Sequence, residues 1–169
     1  MQTYKVTVDK EKTIRWCNEK NQLHRLDGPA LEDAGGYKAW WVEGKRHRLD
    51  GPAVEYANGS KEWYVEDKLH RLDGPAIEYA DGYKAWHVEG KLHRLDGPAI
   101  ECEDGYKAWF VEGKRHRLDG PAIEYANGYK AWFVDGKRMS EKEFNEYIKP
   151  TCEGKIVEVD GIKYKLTAI

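Results

Sequence analysis

Lys68–Gly90 reads KLHRLDGPAIEYADGYKAWHVEG, and variants of this string fill most of the chain. Its heptapeptide His-Arg-Leu-Asp-Gly-Pro-Ala begins at His24, His47, His70, His93 and His116, a spacing of 23 residues each time. A fixed period in the twenties means stacked supersecondary units that bury surface against their neighbours. The first copy is irregular, with Leu31, Asp33 and Gly35-Gly36 at positions that the other copies fill differently. The pattern stops at Met139, where a sixth His would fall.

Each unit holds two reversal signals. The first is Gly35-Gly36, Asn58-Gly59, Asp81-Gly82, Asp104-Gly105 or Asn127-Gly128; the second is Glu43-Gly44, Glu66-Asp67, Glu89-Gly90, Glu112-Gly113 or Asp135-Gly136. Asn-Gly and Asp-Gly suit a two-residue type I′ hairpin, which requires positive φ at both positions. The alternating segments between them, such as Ala76–Tyr79 and Tyr83–Val88, read as strands. Pro98 lacks an N–H for a central ladder, so Leu95–Pro98 should bend the chain. The expected fold is all-β: an elongated or coiled antiparallel meander of about 12–14 strands, built from hairpin repeats, with a short C-terminal helix and a terminal hairpin.

A two-residue turn at Asp81-Gly82 predicts a register in which Ile77 faces Trp86 and Tyr79 faces Lys84. Ile77, Tyr79, Trp86 and Val88 then share a packed face, since directly paired residues lie on one side. Ala76, Glu78, Ala80, Tyr83, Ala85 and His87 take the other. Across Glu89-Gly90, Trp86 faces His93, which sets the motif histidine against the tryptophan.

The expected organisation is an N-terminal capping hairpin over 1–23, five repeats over 24–138 and a C-terminal cap over 139–169. The first cap pairs Thr3–Val8 with Thr13–Cys17. In the last, Ser140-Glu141-Lys142-Glu143 is a capping-box match opening a helix over 141–149, which Pro150 ends. Phe144, Tyr147 and Ile148 form its apolar stripe, and a hairpin over 155–166 turns at Asp160-Gly161. Repeat arrays need such atypical ends to cover their edges.

The unit resembles the MORN (membrane occupation and recognition nexus) repeat, in the variant form found in small bacterial and bacteriophage proteins. Tyr79-Ala80-Asp81-Gly82, Trp86, Glu89-Gly90-Lys91 and Glu112-Gly113-Lys114 carry the resemblance, which covers 24–138. The linking Leu-Asp-Gly-Pro-Ala departs from the small Gly-x-Gly pattern usual there. The resemblance implies a hairpin stack that serves as a binding scaffold. Such units are linked to membranes and dimerisation, and related bacterial repeats occur in antitoxin or immunity proteins.

Composition narrows the function classes. Of 169 residues 34% are charged, yet the net charge is only −2, which argues against a nucleic-acid backbone binder. Seven Trp and eleven Tyr supply enough buriable area to argue against disorder. No apolar run approaches the roughly 18 residues of a membrane span, and the N-terminus lacks a signal-peptide core, so a cytoplasmic location in a bacterium or phage-infected host is expected. Three cysteines without a C-x-x-C pattern read as free thiols in a reducing compartment.

Three sets of residues are candidates for function. The His-Arg ladder (His47, Arg48, His70, Arg71, His93, Arg94, His116, Arg117) could hold small anionic or nucleotide-like ligands. His and Asp of each motif could also form a base–orienter pair, but catalytic sites are normally single and this one recurs in identical context. Equivalent histidines two strands apart lie about 9–10 Å from each other, too far to share a metal. The structural alternative packs His on Trp and uses Asp to accept backbone N–H groups at the bend. The third set is the column where units differ: Trp41, Tyr64, His87, Phe110 and Phe133, in line with Tyr83, Tyr106 and Tyr129. It is either a partner-binding strip or a second core layer. No catalytic residue, metal site or cofactor motif is identified. The function expected is a non-enzymatic protein-binding module, an inhibitor, immunity or anti-defence protein that sequesters a host or cognate protein. The alternatives are the ladder ligand and a structural element that oligomerises through sheet edges.

Overall fold

Two kinds of turn shape each repeat, and they exchange the places that the dipeptides suggest. In the computed structural model, which describes residues 4–149, 156–159 and 162–165, Tyr79 N–H donates to Tyr83 O at 2.9 Å and Gly82 N–H to Tyr79 O at 3.0 Å. This is a three-residue loop, a type I turn closed by a left-handed glycine with φ +85° at Gly82. The Asp81 carboxylate accepts the Tyr83 N–H at 3.0 Å, and Asn58, Asp104 and Asn127 do the same in their units. The two-residue turn with positive φ at both positions sits instead at Glu89 (+50°) and Gly90 (+80°).

The longer loop shifts the register by one residue. Ile77 faces Ala85 and Glu78 faces Lys84, not Trp86 and the residues predicted. A one-residue slip sends side chains to the opposite face. Ile77 and Tyr79 therefore lie with Tyr83, Ala85 and His87, and Trp86 lies with Glu78 and Lys84 on the other side. The expected packed face of Ile77, Tyr79, Trp86 and Val88 is thereby corrected.

The all-β meander is present, with a further division. Strands such as Ile77–Glu78 and Lys84–Ala85 join a 13-stranded antiparallel sheet running from Lys5–Val8 to Lys137–Met139. At Trp86 the chain leaves that sheet, and His87–Val88 pairs with Lys91–Leu92 in a separate hairpin. Trp86 does face His93, whose N–H donates to Trp86 O at 3.0 Å. Successive hairpins are tied by Arg71 N–H to His87 O (3.1 Å) and Gly90 N–H to Leu69 O (2.9 Å).

The buried centre of this array is alanine. Ala30, Ala53, Ala76, Ala99 and Ala122, from the motif, and Ala39, Ala85 and Ala108, from the next strand, are fully buried. So small a core places the burden on an arginine. Arg94 Cζ lies 3.9 Å from the Trp86 ring centroid. Its Nε donates to Asp96 Oδ1 (2.9 Å), and its Nη1 to Pro98 O (3.1 Å) and Glu101 Oε1 (2.9 Å). A Cβ added to Gly97 would lie 2.9 Å from Arg94 Cζ. The bend needs glycine because the guanidinium occupies the space of a side chain. Arg25 on Trp16, Arg48 on Trp40, Arg71 on Trp63 and Arg117 on Trp109 repeat the stack at 3.8–4.2 Å. Each is worth about 0.5–2 kcal/mol. Arginine thus covers the tryptophan, the place expected for histidine, and the motif Asp accepts from that arginine.

The described ends differ from the repeats. Lys5–Val8 pairs with Ile14–Cys17, and its residues are exposed. Ser140 caps the helix Glu141–Tyr147 with both capping-box hydrogen bonds. The helix is shorter than predicted, and only Phe144 of its stripe is buried; Tyr147 and Ile148 are exposed. Ile156–Val159 pairs with Ile162–Lys165. Pro150, Cys152, Lys155 and Asp160-Gly161 lie outside the described residues.

Gly97→Ala should lower stability by about 1–3 kcal/mol in urea unfolding, as overpacking does. In an Arg94→Ala background the same change should cost little. Equal losses in both backgrounds would refute the guanidinium as the reason for the glycine.

Candidate functional site

The polar atoms of the His-Arg ladder turn inward. Besides the arginine contacts above, His Nδ1 accepts a backbone N–H from the turn of the following hairpin: Glu43 to His24 (3.0 Å), Glu89 to His70 (3.2 Å), Glu112 to His93 (3.3 Å) and Asp135 to His116 (3.2 Å). At His93 and His116 the same Nδ1 also lies 3.0 and 2.9 Å from the carboxylates of Glu112 and Asp135. At His47 the neighbour of Nδ1 is Glu66 Oε1, at 3.0 Å. The ladder therefore links each hairpin to the next. Asp27, Asp50, Asp73, Asp96 and Asp119 are held below the usual carboxylate range, chiefly by the guanidinium hydrogen bond from the adjacent Arg.

The variable column is brought together as a half-buried layer. Tyr64 is buried; Trp41, His87, Phe110 and Phe133 are intermediate. Tyr64 packs with Ala39, Ala53 and Val54, and Trp41, Tyr37 and Leu69 lie against that cluster. Arg46 Cζ sits 3.9 Å from the Tyr64 ring centroid and 6.0 Å from that of Trp41. Arg115 bridges Phe110 and Phe133 at 5.9 and 5.3 Å. Tyr83 and Tyr106 are half-buried and Tyr129 is exposed, all on the same side of the array. Trp41 Nε1 and His87 Nδ1 are buried without a hydrogen-bond partner, and burial pulls the His87 imidazole below its ordinary value.

Two features escaped the sequence reading. The motif leucine, taken only as part of a bend, stands out of the surface: Leu49, Leu72 and Leu95 are 81, 80 and 79% exposed, with Leu26 and Leu118 also exposed. Between Leu72 and Leu95 runs a groove of about 640 Å³ floored by Trp86, Val88 and His93. Another, of about 630 Å³, lies between Leu95 and Leu118 over Trp109, Val111 and His116. Recurrence of a leucine beside Arg and Asp, where the chain cannot continue a strand, was the available signal.

The second feature is confined to one unit. Glu62 stands where Ala39, Ala85, Ala108 and Ala131 stand elsewhere, and Ser60 stands where Tyr37, Tyr83, Tyr106 and Tyr129 do. Glu62 is only 6% exposed. It accepts hydrogen bonds from the hydroxyls of Tyr56 (3.3 Å), Tyr64 (3.0 Å) and Tyr79 (2.9 Å). Burial, aided by this carboxylate, pushes the Tyr64 phenol up to about 12 and raises Tyr79 as well. Comparing the units position by position exposes both substitutions.

Among the described residues, no group of three or more His, Cys, Asp or Glu is placed to hold a metal ion, and no helix is long and apolar enough to cross a membrane. No protein-family model matches the chain, and no similar sequence was found among curated proteins.

Two pH windows follow. Because the folded value of His87 is depressed, the unfolded chain binds its proton first, so stability should fall as pH drops through about 6.5. His87→Phe, the residue of two other units, should flatten melting temperature between pH 7.5 and 5; an unchanged slope would exclude His87 as its source. The five motif aspartates are also depressed, so their contribution is complete above the unfolded value of about 3.9 and is lost as pH falls through the lower folded values. Thermal melts should show a second, steeper loss below about pH 4.

Proposed function

We propose that this chain is a non-enzymatic protein-binding repeat module that holds its partner along the leucine-ridged face. The observation that carries this reading is the row of leucines at fixed period, each about four-fifths exposed at Leu49, Leu72 and Leu95, with grooves floored by Trp and Val between them. Isolated exposed leucines need no explanation, whereas a regular apolar row with adjoining hollows is a recognition surface. Every ridge also carries an Arg–Asp ion pair in which the Asp carboxylate is the exposed member, so a partner surface that meets the ridge is apolar with hydrogen-bond donors or a positive charge at its edge. Use of the His and Arg polar atoms in contacts within the array supports binding over catalysis. Sequestration of a bacterial or phage-host protein, in the manner of an inhibitor or immunity protein, is the form of this function to which the MORN-like unit points.

The test compares two sets of variants against whatever protein wild type captures from bacterial lysate. Leu49→Asp/Leu72→Asp/Leu95→Asp should keep its melting temperature within a few degrees, because exposed substitutions change stability little. It should weaken capture by about a hundredfold or more. Trp41→Ser/Phe110→Ser/Phe133→Ser should instead lose stability. Full retention of binding by the leucine variant, or loss by a folded aromatic variant alone, would move the interface to the other face.

A further inference from the structure

We propose that the opening over Ser60 is a binding site for one small aromatic ring that carries an ammonium group, an arylalkylamine. It lies on the sheet face opposite Trp86 and the leucine ridge, and it is independent of them.

Shape is the first argument. Tyrosines from neighbouring strands run in a row across this face, with ring centroids 5.5 Å apart for Tyr37–Tyr56, 5.5 Å for Tyr79–Tyr83, 4.8 Å for Tyr106–Tyr125 and 5.6 Å for Tyr125–Tyr129. Ser60 interrupts the row while its two neighbours, Tyr56 and Tyr79, remain. The place of a phenol ring is left as a hollow of about 340 Å³, lined by Tyr56, Asn58, Ser60, Tyr79, Ala80 and Asp81. That volume is at the small end of ligand pockets.

The turns at this junction give a second, separate argument. A Cβ built on Gly36 would lie 3.4 Å from Ala57 Cβ, on Gly82 3.0 Å from Glu103 Cβ, and on Gly105 3.0 Å from Ala126 Cβ. On Gly59 it would meet nothing within 4 Å. At the other junctions between repeats the glycine of one turn lies against the next turn; at this one the turns are joined through Ser60 and Ala80, and the space beside Gly59 is open.

Chemistry selects the ligand class. Glu62 beneath the hollow fixes Tyr56 and Tyr79 by their hydroxyls, so both rings are held as walls before any ligand arrives. Ser60 is itself 6% exposed and its hydroxyl takes the Ala80 N–H at 3.0 Å, which anchors the floor. Asp81 lies at the exposed rim, and Glu103 flanks the next turn. Arg46, which interacts electrostatically with Glu62, is stacked on the Tyr64 ring and paired with Asp67. An aromatic ring fits between the tyrosines, and a cationic head group meets Asp81 and the negative faces of the rings.

Titrating tyramine into the full chain, followed by chemical-shift changes and calorimetry, tests this directly. Saturable one-to-one binding with Kd near or below about 1 mM is expected. Ser60→Tyr, which restores the residue of the other units, should fill the hollow and weaken binding at least about tenfold. Asp81→Asn, a residue already present at the equivalent positions 58 and 127, keeps the turn and should weaken binding several-fold. The neutral p-cresol should bind at least about tenfold more weakly than tyramine. No saturation by 10 mM tyramine, undiminished binding by folded Ser60→Tyr or by Asp81→Asn, or equal binding of p-cresol would each overturn the proposal.

Discussion

Everything in this array depends on a guanidinium held between a tryptophan ring and a glycine. The alanine core buries too little surface per unit to order 23 residues by the hydrophobic effect alone. Arg94 makes up the difference with a ring stack on Trp86, a carboxylate on each side and the carbonyl of Pro98. One side chain thereby ties the preceding strand, the bend and the following strand. The motif Arg-Leu-Asp-Gly-Pro then has a physical reading at each position but one. Arg clamps, Asp pairs with it, Gly makes room for it, and Pro ends the previous strand while offering its carbonyl. Leu makes no such contribution, and it is the apolar residue left in solvent.

The clamp also divides the two faces of the array. On the tryptophan side, repetition is strict, and it produces evenly spaced leucine ridges with grooves between them. On the tyrosine side, the units differ, and the differences concentrate at Ser60, Glu62, Tyr64 and Asp67 of one unit. A repeat scaffold tolerates such variation because each unit contacts only its neighbours. The buried Glu62 shows the arrangement that variation requires: a carboxylate removed from water is acceptable when three phenols donate to it.

Several elements were legible because they are local. The repeat boundaries, the Ser140 cap, the Pro bend and the Trp86–His93 pairing all follow from turn and capping chemistry within a few residues. The register was not legible. Asp-Gly serves a two-residue type I′ turn and a three-residue type I loop equally well. The Asp or Asn side chain supports the longer loop by accepting the N–H two residues on, as Asp81 does from Tyr83, and the first unit keeps the same register with Gly35 in that place. The longer loop moved Trp86 to the other face and exchanged the roles assigned to His and Arg. The variable aromatic column was legible as a column, and the sequence left open whether it was a strip or a second layer, since the covering groups, Arg46 and Arg115, come from paired strands of the separate hairpins.

By itself the sequence determined that this protein is a stack of 23-residue β-hairpin units with distinct caps, because periodicity and turn residues act over short distances. Only the tertiary structure decided which side chains meet. Stacking contacts join positions that no local pattern relates, as Arg94 meets Trp86 and as Tyr56 and Tyr79 converge on Glu62. The same holds for exposure. The motif leucine reads only as part of a bend, and its place in solvent shows once neighbouring units are stacked.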